Sequence, residues 1–281
     1  MKARKRFGQH FLEAAWVHKL VLAIGAKPDD AFLEIGPGRG AITRPLALQC
    51  EKLLAVEVDH DLAADLEADK PANVTVVLGD VLKVDLAPIV SAWLGAPPGP
   101  GNQFRLVGNL PYNISSPILF TLLELAARTG GIRDATLMLQ KEVADRLVAP
   151  VGTGEYGVLT VLTALHADVT RVLSLPPGAF RPPPKVHSAV VRLVFRPPAV
   201  KLANAEGFVR MVRAVFTQRR KTIGNALKGF AASVGLPAIE VLKAAGINPQ
   251  RRPETLALAE FATLSNALRP PESRRDEGGI N

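Results

Sequence analysis

A single cysteine, Cys50, stands in the whole chain. That excludes a disulfide framework and any thiolate metal site, and it points to a reducing compartment in which Cys50 is a small buried apolar residue. The five histidines show no metal-ligand spacing, so no metal is expected. No apolar run of about 18 residues, the length that spans a bilayer, occurs, so no membrane segment is expected. The basic start at Lys2, Arg4, Lys5 and Arg6 is not followed by the core of a signal peptide, because His18 and Lys19 interrupt the next apolar stretch. Acidic charge is also short: 26 Asp and Glu face 34 Lys and Arg, a net charge of +8. From Val200 onward 13 basic residues face 7 acidic ones, so the C-terminal part carries most of that surplus. A polyanion is the expected partner, the alternative being a basic surface that binds nothing. Apolar material is not short: 48% of the 281 residues are hydrophobic, enough for one mid-sized domain followed by a smaller one.

Three apolar runs in the first half, Ala31 to Ile35, Leu53 to Val58 and Val74 to Leu78, read as buried parallel strands. Between them lie helical patterns, the clearest at Asp61 to Leu66. The alternation continues through strands at Phe104 to Val107 and Ala135 to Leu139 and a helix at Val143 to Leu147, which defines an α/β fold of the Rossmann-like kind. Pro97 to Gly101 reads as a surface loop, and Val186 to Phe195, rich in β-branched residues, as a last strand. Beyond Arg196-Pro197-Pro198 the period becomes helical: Phe208, Met211, Val212, Val215 and Phe216 share one face, and Leu256 to Leu268 offers another. The spacing therefore predicts a Rossmann-like domain over 1–197 and a small all-helical domain over 198–281, with a frayed tail from Pro270.

The segment Glu34-Ile35-Gly36-Pro37-Gly38-Arg39-Gly40 follows a predicted strand and precedes a helix, where a nucleotide cofactor meets the carboxyl ends of a parallel sheet. Alone, such glycines fit a turn equally well. The next strand ends at Glu57, placed to accept hydrogen bonds from both ribose hydroxyls, while Asp59 reads as a helix cap. The third strand runs into Gly79-Asp80, where a carboxylate can accept from an adenine amine. Gly36-x-Gly38-x-Gly40 lacks the spacing that a pyrophosphate requires, and Glu34 suits a cofactor with a positive sulfonium and ammonium. S-adenosylmethionine is that cofactor.

Asn109-Leu110-Pro111-Tyr112 follows the fourth strand at the same sheet edge. An adenine amine is a poor nucleophile because its lone pair is delocalised into the ring, so catalysis must favour a tetrahedral nitrogen. The Asn109 side-chain oxygen and the Leu110 carbonyl can accept the two amine hydrogens, and Tyr112 can stack on the base. The alternative is a turn stiffened by Pro111 with Tyr112 in the core. A base held there has left its stack, and Phe180, in the Pro-rich stretch Pro176 to Lys185, is the candidate second aromatic face, with core packing as its rival.

Together these residues resemble the ribosomal-RNA adenine dimethyltransferase family, in particular the bacterial enzymes that modify two adjacent adenines in the 3′-terminal hairpin of 16S ribosomal RNA. The resemblance spans Arg4 to Leu12, Glu34 to Gly38, Glu57, Asp80, Gly108 to Ser115, Leu139 to Val143, the stretch from Phe180 to Val190, and Gln218 to Thr222. It implies that His10, Leu12, Gly36, Glu57, Asp80 and Asn109 line the S-adenosylmethionine site; His10 stands where the family commonly has Asn. It further implies a helical C-terminal domain resting on RNA, with Arg219, Arg220 and Lys221 as phosphate contacts. The family motif begins at Arg4 and leaves no room for a transit peptide, so a bacterial cytoplasmic protein, a monomer that meets the small ribosomal subunit and takes part in its biogenesis, is expected. A sister enzyme acting on large-subunit RNA, a non-catalytic ribosome-assembly factor and a nicotinamide dehydrogenase are the competing readings.

Overall fold

Strands that are apolar on both faces must be covered on both faces; the runs at Ala31 to Ile35 and Leu53 to Glu57 are, whereas Val74 to Leu78, expected to be buried as well, leaves Thr75 and Leu78 exposed. The computed structural model describes residues 11–268. Its strands are β1 (Phe11–Leu12), β2 (Ala31–Ile35), β3 (Lys52–Glu57), β4 (Val74–Leu78), β5 (Phe104–Asn109), β6 (Ile132–Gln140), β7 (Ala167–Leu175), β8 (Phe180–Arg181) and β9 (Ser188–Phe195). Among the described residues, seven strands form one sheet in the order β4-β3-β2-β5-β6-β9-β7, and β1 pairs with β8 apart from it. Pairings from β4 through β6 are parallel, whereas β9 lies antiparallel to both β6 and β7. The parallel part is threaded by helices α1 (Ala14–Ile24), α2 (Thr43–Ala47), α3 (His60–Asp69), α4 (Leu86–Leu94) and α5 (Ser115–Thr129), with α6 (Lys141–Leu147) after β6.

Every residue of β2 is buried, as are all but the first of β3, so these two strands form the centre of the core. Around them pack Leu20, Ile24, Leu46, Leu66, Val107, Met138 and Val190. Cys50 is buried and its thiol pKa is pushed up to about 11 by burial, aided by the Asp30 and Glu51 charges, so it is held as an unreactive thiol. At the end of the sheet opposite the strand carboxyl termini, the Arg105 guanidinium is 6% exposed and grips both Asp30 (2.8 Å) and Asp134 (3.0 Å). It also donates to the carbonyls of Ile24 (2.8 Å) and Gly25 (3.0 Å), and Arg192 donates to those of Ala23 and Ile24. The last turn of α1 thus has its unpaired carbonyls satisfied by two arginines from the sheet.

The chain divides into two compact units, one comprising 1–148 with 166–197 and the other 149–165 with 198–281. The change of unit near Pro198 coincides with the change of hydrophobic period, but the segment 149–165, which sequence assigns to the first domain, clusters with the second. Its hold is specific: the Tyr156 hydroxyl donates to the Leu256 carbonyl (2.9 Å), and the Gly152 amide donates to that of Glu254 (2.8 Å). Phe216 sits between Tyr156 and Phe261, with ring centroids 6.4 and 5.7 Å away. The second unit is helical, with α7 (Val158–His166), α8 (Ala205–Phe216), α9 (Ile223–Ala226), α10 (Lys228–Ser233), α11 (Ala238–Ala244) and α12 (Leu258–Ala267). In α8 the Asn204 side chain caps the N-terminus by accepting from Gly207, and Phe208, Met211, Val212 and Val215 are buried along one face.

Candidate active site

Parallel register brings the strand ends to one edge: Ile35 lies beside both Val56 and Gly108, and Glu57 beside Leu78. Gly36, Glu57, Asp80 and Asn109 are therefore neighbours in space although 73 positions separate the first from the last. The order β3-β2-β5 places the turn after β2 where the direction of winding reverses, the position at which open α/β sheets bind ligands. A cavity occupies this edge, and Leu12, Gly36, Glu57, Asp80, Asn109, Leu110, Pro111 and Tyr112 all line it.

The glycine loop takes the form a close ligand requires. Gly36 and Gly38 have φ of 67° and 57°, left-handed values that glycine adopts without steric cost. Gly108 is demanded by the fold instead: a Cβ there would lie 2.8 Å from the Ile35 carbonyl oxygen, so a side chain would push β5 away from β2 just beneath Asn109.

Glu57 is held by three backbone amides. One carboxylate oxygen accepts from Val58 and Asp59, the other from Gly38, each at 2.9 Å. Burial raises its pKa, with the three amides opposing that rise and the Asp59 charge adding to it. A carboxylate offers about four acceptor sites, so with three in use one ribose hydroxyl can be accepted directly. The second hydroxyl expected from sequence requires the Gly38 amide to yield. Asp59 caps α3 by accepting from Asp61 (3.1 Å), as its position before the helix suggests. One oxygen of Asp80 accepts from Leu82 (3.0 Å) and closes the following turn; the other faces the Lys83 ammonium at 3.6 Å.

Glu34 does not line the cavity. It is buried beneath the glycine loop, where it accepts a 2.6 Å hydrogen bond from Thr43. Burial lifts its pKa to about 7, against the Thr43 bond and with the Glu57 charge adding to the rise. The sequence argument that it meets a cofactor cation is corrected by this placement, since a strand residue two places before the turn points into the packed layer. The raised value has a consequence for stability. The unfolded chain loses this proton near pH 4.5 and the folded one near pH 7, so Glu34 weakens the fold progressively across that window, by about 3 kcal/mol above it. Glu34→Gln cannot titrate. Urea unfolding of both proteins at pH 5 and pH 8 should show the variant gaining on the parent as pH rises, and a constant difference would refute the shift.

Phe180 is likewise not at the cavity. It is fully buried in the core with Leu175, Ala179 and Val190, beneath Leu12, its partner in the β1–β8 pair. An aromatic flanked by prolines looks like a presented ring, but here β8 turns it inward. His10 lies outside the described residues, as do the start of the motif at Arg4 and the tail from Pro270. Sequence reasoning gave no role to three residues inside the segments it singled out. Phe11 and Arg39 line the cavity, with the Arg39 guanidinium 4.3 Å from the centre of the Phe11 ring. Ser188, at the start of β9, shares a 2.5 Å hydrogen bond with the Tyr112 hydroxyl. In the second unit Arg220 and Lys221 are exposed with no ion-pair partner among the described residues, whereas Arg219 donates to the Gly154 carbonyl (2.8 Å).

A glycine cradle, a buried acid and a capped acid on successive strands suit an adenosine-containing ligand, and the Asn109 turn stands where a second substrate would meet it. A sequence model described as ribosomal RNA adenine dimethylase matches residues 1–269. The chain belongs to the ribosomal RNA adenine dimethylase family. Among its curated relatives, the ribosomal RNA small subunit methyltransferase A of Xylella fastidiosa strain 9a5c is 46% identical over 94% of this chain and 96% of the relative. That of Acinetobacter baylyi is 43% identical over 96% and 93%. Among solved structures, a dimethyladenosine transferase from Plasmodium falciparum superposes with a TM-score of 0.73 at 26% identity, covering 91% of this chain and 96% of that one. The 23S rRNA methyltransferase ErmE gives 0.61 at 27% identity, covering 92% and 99%. Family membership makes this adenine dimethylase an S-adenosylmethionine-dependent enzyme, and the cradle on β2, β3 and β4 fits that cofactor. No helix among the described residues is long and apolar enough to cross a membrane, and no group of three or more metal-ligating side chains occurs among them.

Proposed function

We propose that this chain transfers methyl groups from S-adenosylmethionine to the N6 amines of two adjacent adenines in the 3′-terminal hairpin of 16S ribosomal RNA, acting as a cytoplasmic monomer during small-subunit biogenesis. The observation that carries this reading is that Asn109, Leu110, Pro111 and Tyr112 line the same cavity as Gly36, Glu57 and Asp80. When bound, the cofactor supplies a methyl group made electrophilic by a sulfonium. Glu57 accepts from the ribose and Asp80 from the adenine of that cofactor, while Gly36 lets the backbone pass close to it. Leu12 covers the site from β1. The Asn109 side-chain oxygen and the Leu110 carbonyl accept the two hydrogens of the target amine. That draws the nitrogen toward tetrahedral geometry and directs its lone pair into the cavity. Tyr112 stacks on the extruded base. Phe180 acts from the core, by supporting the β1–β8 pair that carries Leu12.

The helical unit binds RNA through phosphate contacts at Arg220 and Lys221, and Arg219 holds the loop at Gly154 beside them. The double variant Arg220→Glu/Lys221→Glu should weaken binding of small subunits and flatten the dependence of log K on log salt by about two contacts' worth. Filter binding across a salt series measures the slope, and an unchanged slope would remove both residues from the interface. The substrate assignment is tested by offering labelled cofactor with purified unmodified small or large subunits. Label in the small subunit alone is expected. Label in the large subunit would favour the sister activity, and tight small-subunit binding without label would favour an assembly factor.

A further inference from the structure

Tyr112 is anchored at both ends. Its backbone follows Pro111, and the Tyr112 carbonyl accepts from the Ser115 hydroxyl at 3.4 Å. Its phenol oxygen lies 2.5 Å from Ser188 Oγ. Ser188 is 2% exposed and is the first residue of β9. It is paired with Gln140 of β6 on one side and Leu175 of β7 on the other. The next residue back, His187, accepts from the Lys141 amide (2.9 Å), so the backbone entering β9 is fixed as well. A hydroxyl on an inner strand of a sheet has little freedom, and a ring bonded to it cannot swing about its Cα–Cβ bond without breaking a part-buried hydrogen bond. The phenol is itself partly withdrawn from water, and burial raises its pKa against the Ser188 bond, so both hydroxyls stay protonated and either can donate to the other.

We infer that Ser188 is a positioning residue for methyl transfer: its hydroxyl tethers Tyr112 and holds the ring in the plane on which the target adenine stacks. The inference rests on the stacking role proposed above for Tyr112. Ser188 does not line the cavity and touches neither substrate directly; it acts through the ring. A base presented to the methyl group by a loosened ring spends less time in the reactive geometry, and misplacement of this kind costs rate more than affinity.

The test uses the full-length protein and unmodified small subunits. Ser188→Ala and Tyr112→Phe each remove one partner of the same bond, Tyr112→Ala removes the ring, and Ser188→Thr restores the hydroxyl. Single-turnover rates, the KM for S-adenosylmethionine and the quenching of 2-aminopurine placed at the target position in the RNA are measured for each. Ser188→Ala and Tyr112→Phe should each slow transfer by about tenfold with KM for the cofactor unchanged. The double variant should be no slower than either single one, since both lose the same bond. Quenching should fall in both single variants, and Ser188→Thr should recover most of the rate.

Unchanged rates in Ser188→Ala and Tyr112→Phe, with Tyr112→Ala inactive, would overturn the tether and leave the stacking role standing. Independent losses that multiply in the double variant would overturn it too. An active Tyr112→Ala would instead overturn the stacking role on which the inference rests. Should Ser188→Ala fold poorly, Tyr112→Phe against the parent decides, because it deletes only an oxygen: a full rate there overturns the tether.

Discussion

Asn109→Ala should reduce methyl transfer by about a hundredfold to a thousandfold, the loss expected when a polar group aimed at developing charge is removed. The reasoning is local. Asn109 is the last residue of β5, paired with Met138 of β6, and the next amide, that of Leu110, donates to the Met138 carbonyl at 3.1 Å. The turn is therefore fixed by backbone bonds that the substitution leaves in place, and Ala keeps its backbone conformation. What disappears is the side-chain acceptor for the amine hydrogen. Cofactor binding, measured by calorimetry, and small-subunit binding, measured by filter retention, should change by less than about tenfold. A variant with most of its activity would remove Asn109 from the reacting centre, and one that also lost cofactor affinity to the same degree would make it a binding residue only.

The largest expected effect on stability lies at the other end of the sheet. Arg105→Ala should destabilise the protein by about 3–5 kcal/mol, because it leaves two buried carboxylates, Asp30 and Asp134, without their shared cation. It also strips hydrogen bonds from the last carbonyls of α1. Burial alone would raise the Asp30 pKa, but hydrogen bonds from Arg105, the Lys27 amide and Arg133 outweigh it and leave the value depressed. A depressed carboxylate stabilises the fold above the ordinary pKa of Asp, about 4, and loses that contribution as pH falls through the lowered value, so the stability that Asp30 lends the parent is withdrawn only below that pH, beneath the window in which Glu34 titrates. In Arg105→Ala that acid sensitivity should diminish or reverse. Urea unfolding at pH 7 measures the first effect and a comparison of about pH 5 with about pH 3, on either side of the ordinary Asp pKa, measures the second; a loss below about 1 kcal/mol at pH 7 would show that the network is not holding the sheet to α1.

The sequence made the parallel half of the fold legible and left much of the antiparallel half obscure. The runs at Ala31–Ile35 and Val74–Leu78 have the bounds of β2 and β4: β2 is a continuous apolar run because it lies at the middle of the parallel part, and β4, although an edge strand, keeps Val74, Val76, Val77 and Leu78 in its short run. β7 was not anticipated: as an edge strand it is largely exposed, and residues such as Thr170 and Arg171 give it no apolar pattern to read. The cavity residues Gly36, Glu57, Asp80 and Asn109 were legible because each stands at or just past the carboxyl end of a strand, where the parallel register gathers them. Phe180 and Glu34 misled for one reason: residue type suggests chemistry, but the direction of the side chain decides it, and both point into packed layers. Ser188 falls within the stretch that carries the family resemblance but was given no role, because a serine opening a strand carries no chemical signal until the ring it meets, 76 positions away in sequence, is placed beside it.

The central claim, that this cavity dimethylates adenine, is tested most directly by mass spectrometry of nucleosides released from unmodified small-subunit RNA after incubation with purified protein and S-adenosylmethionine. The account predicts N6,N6-dimethyladenosine at two residues per subunit, confined to the terminal hairpin and absent with Asn109→Ala. Methylation at another base or atom, or none while the cofactor remains bound, would contradict it.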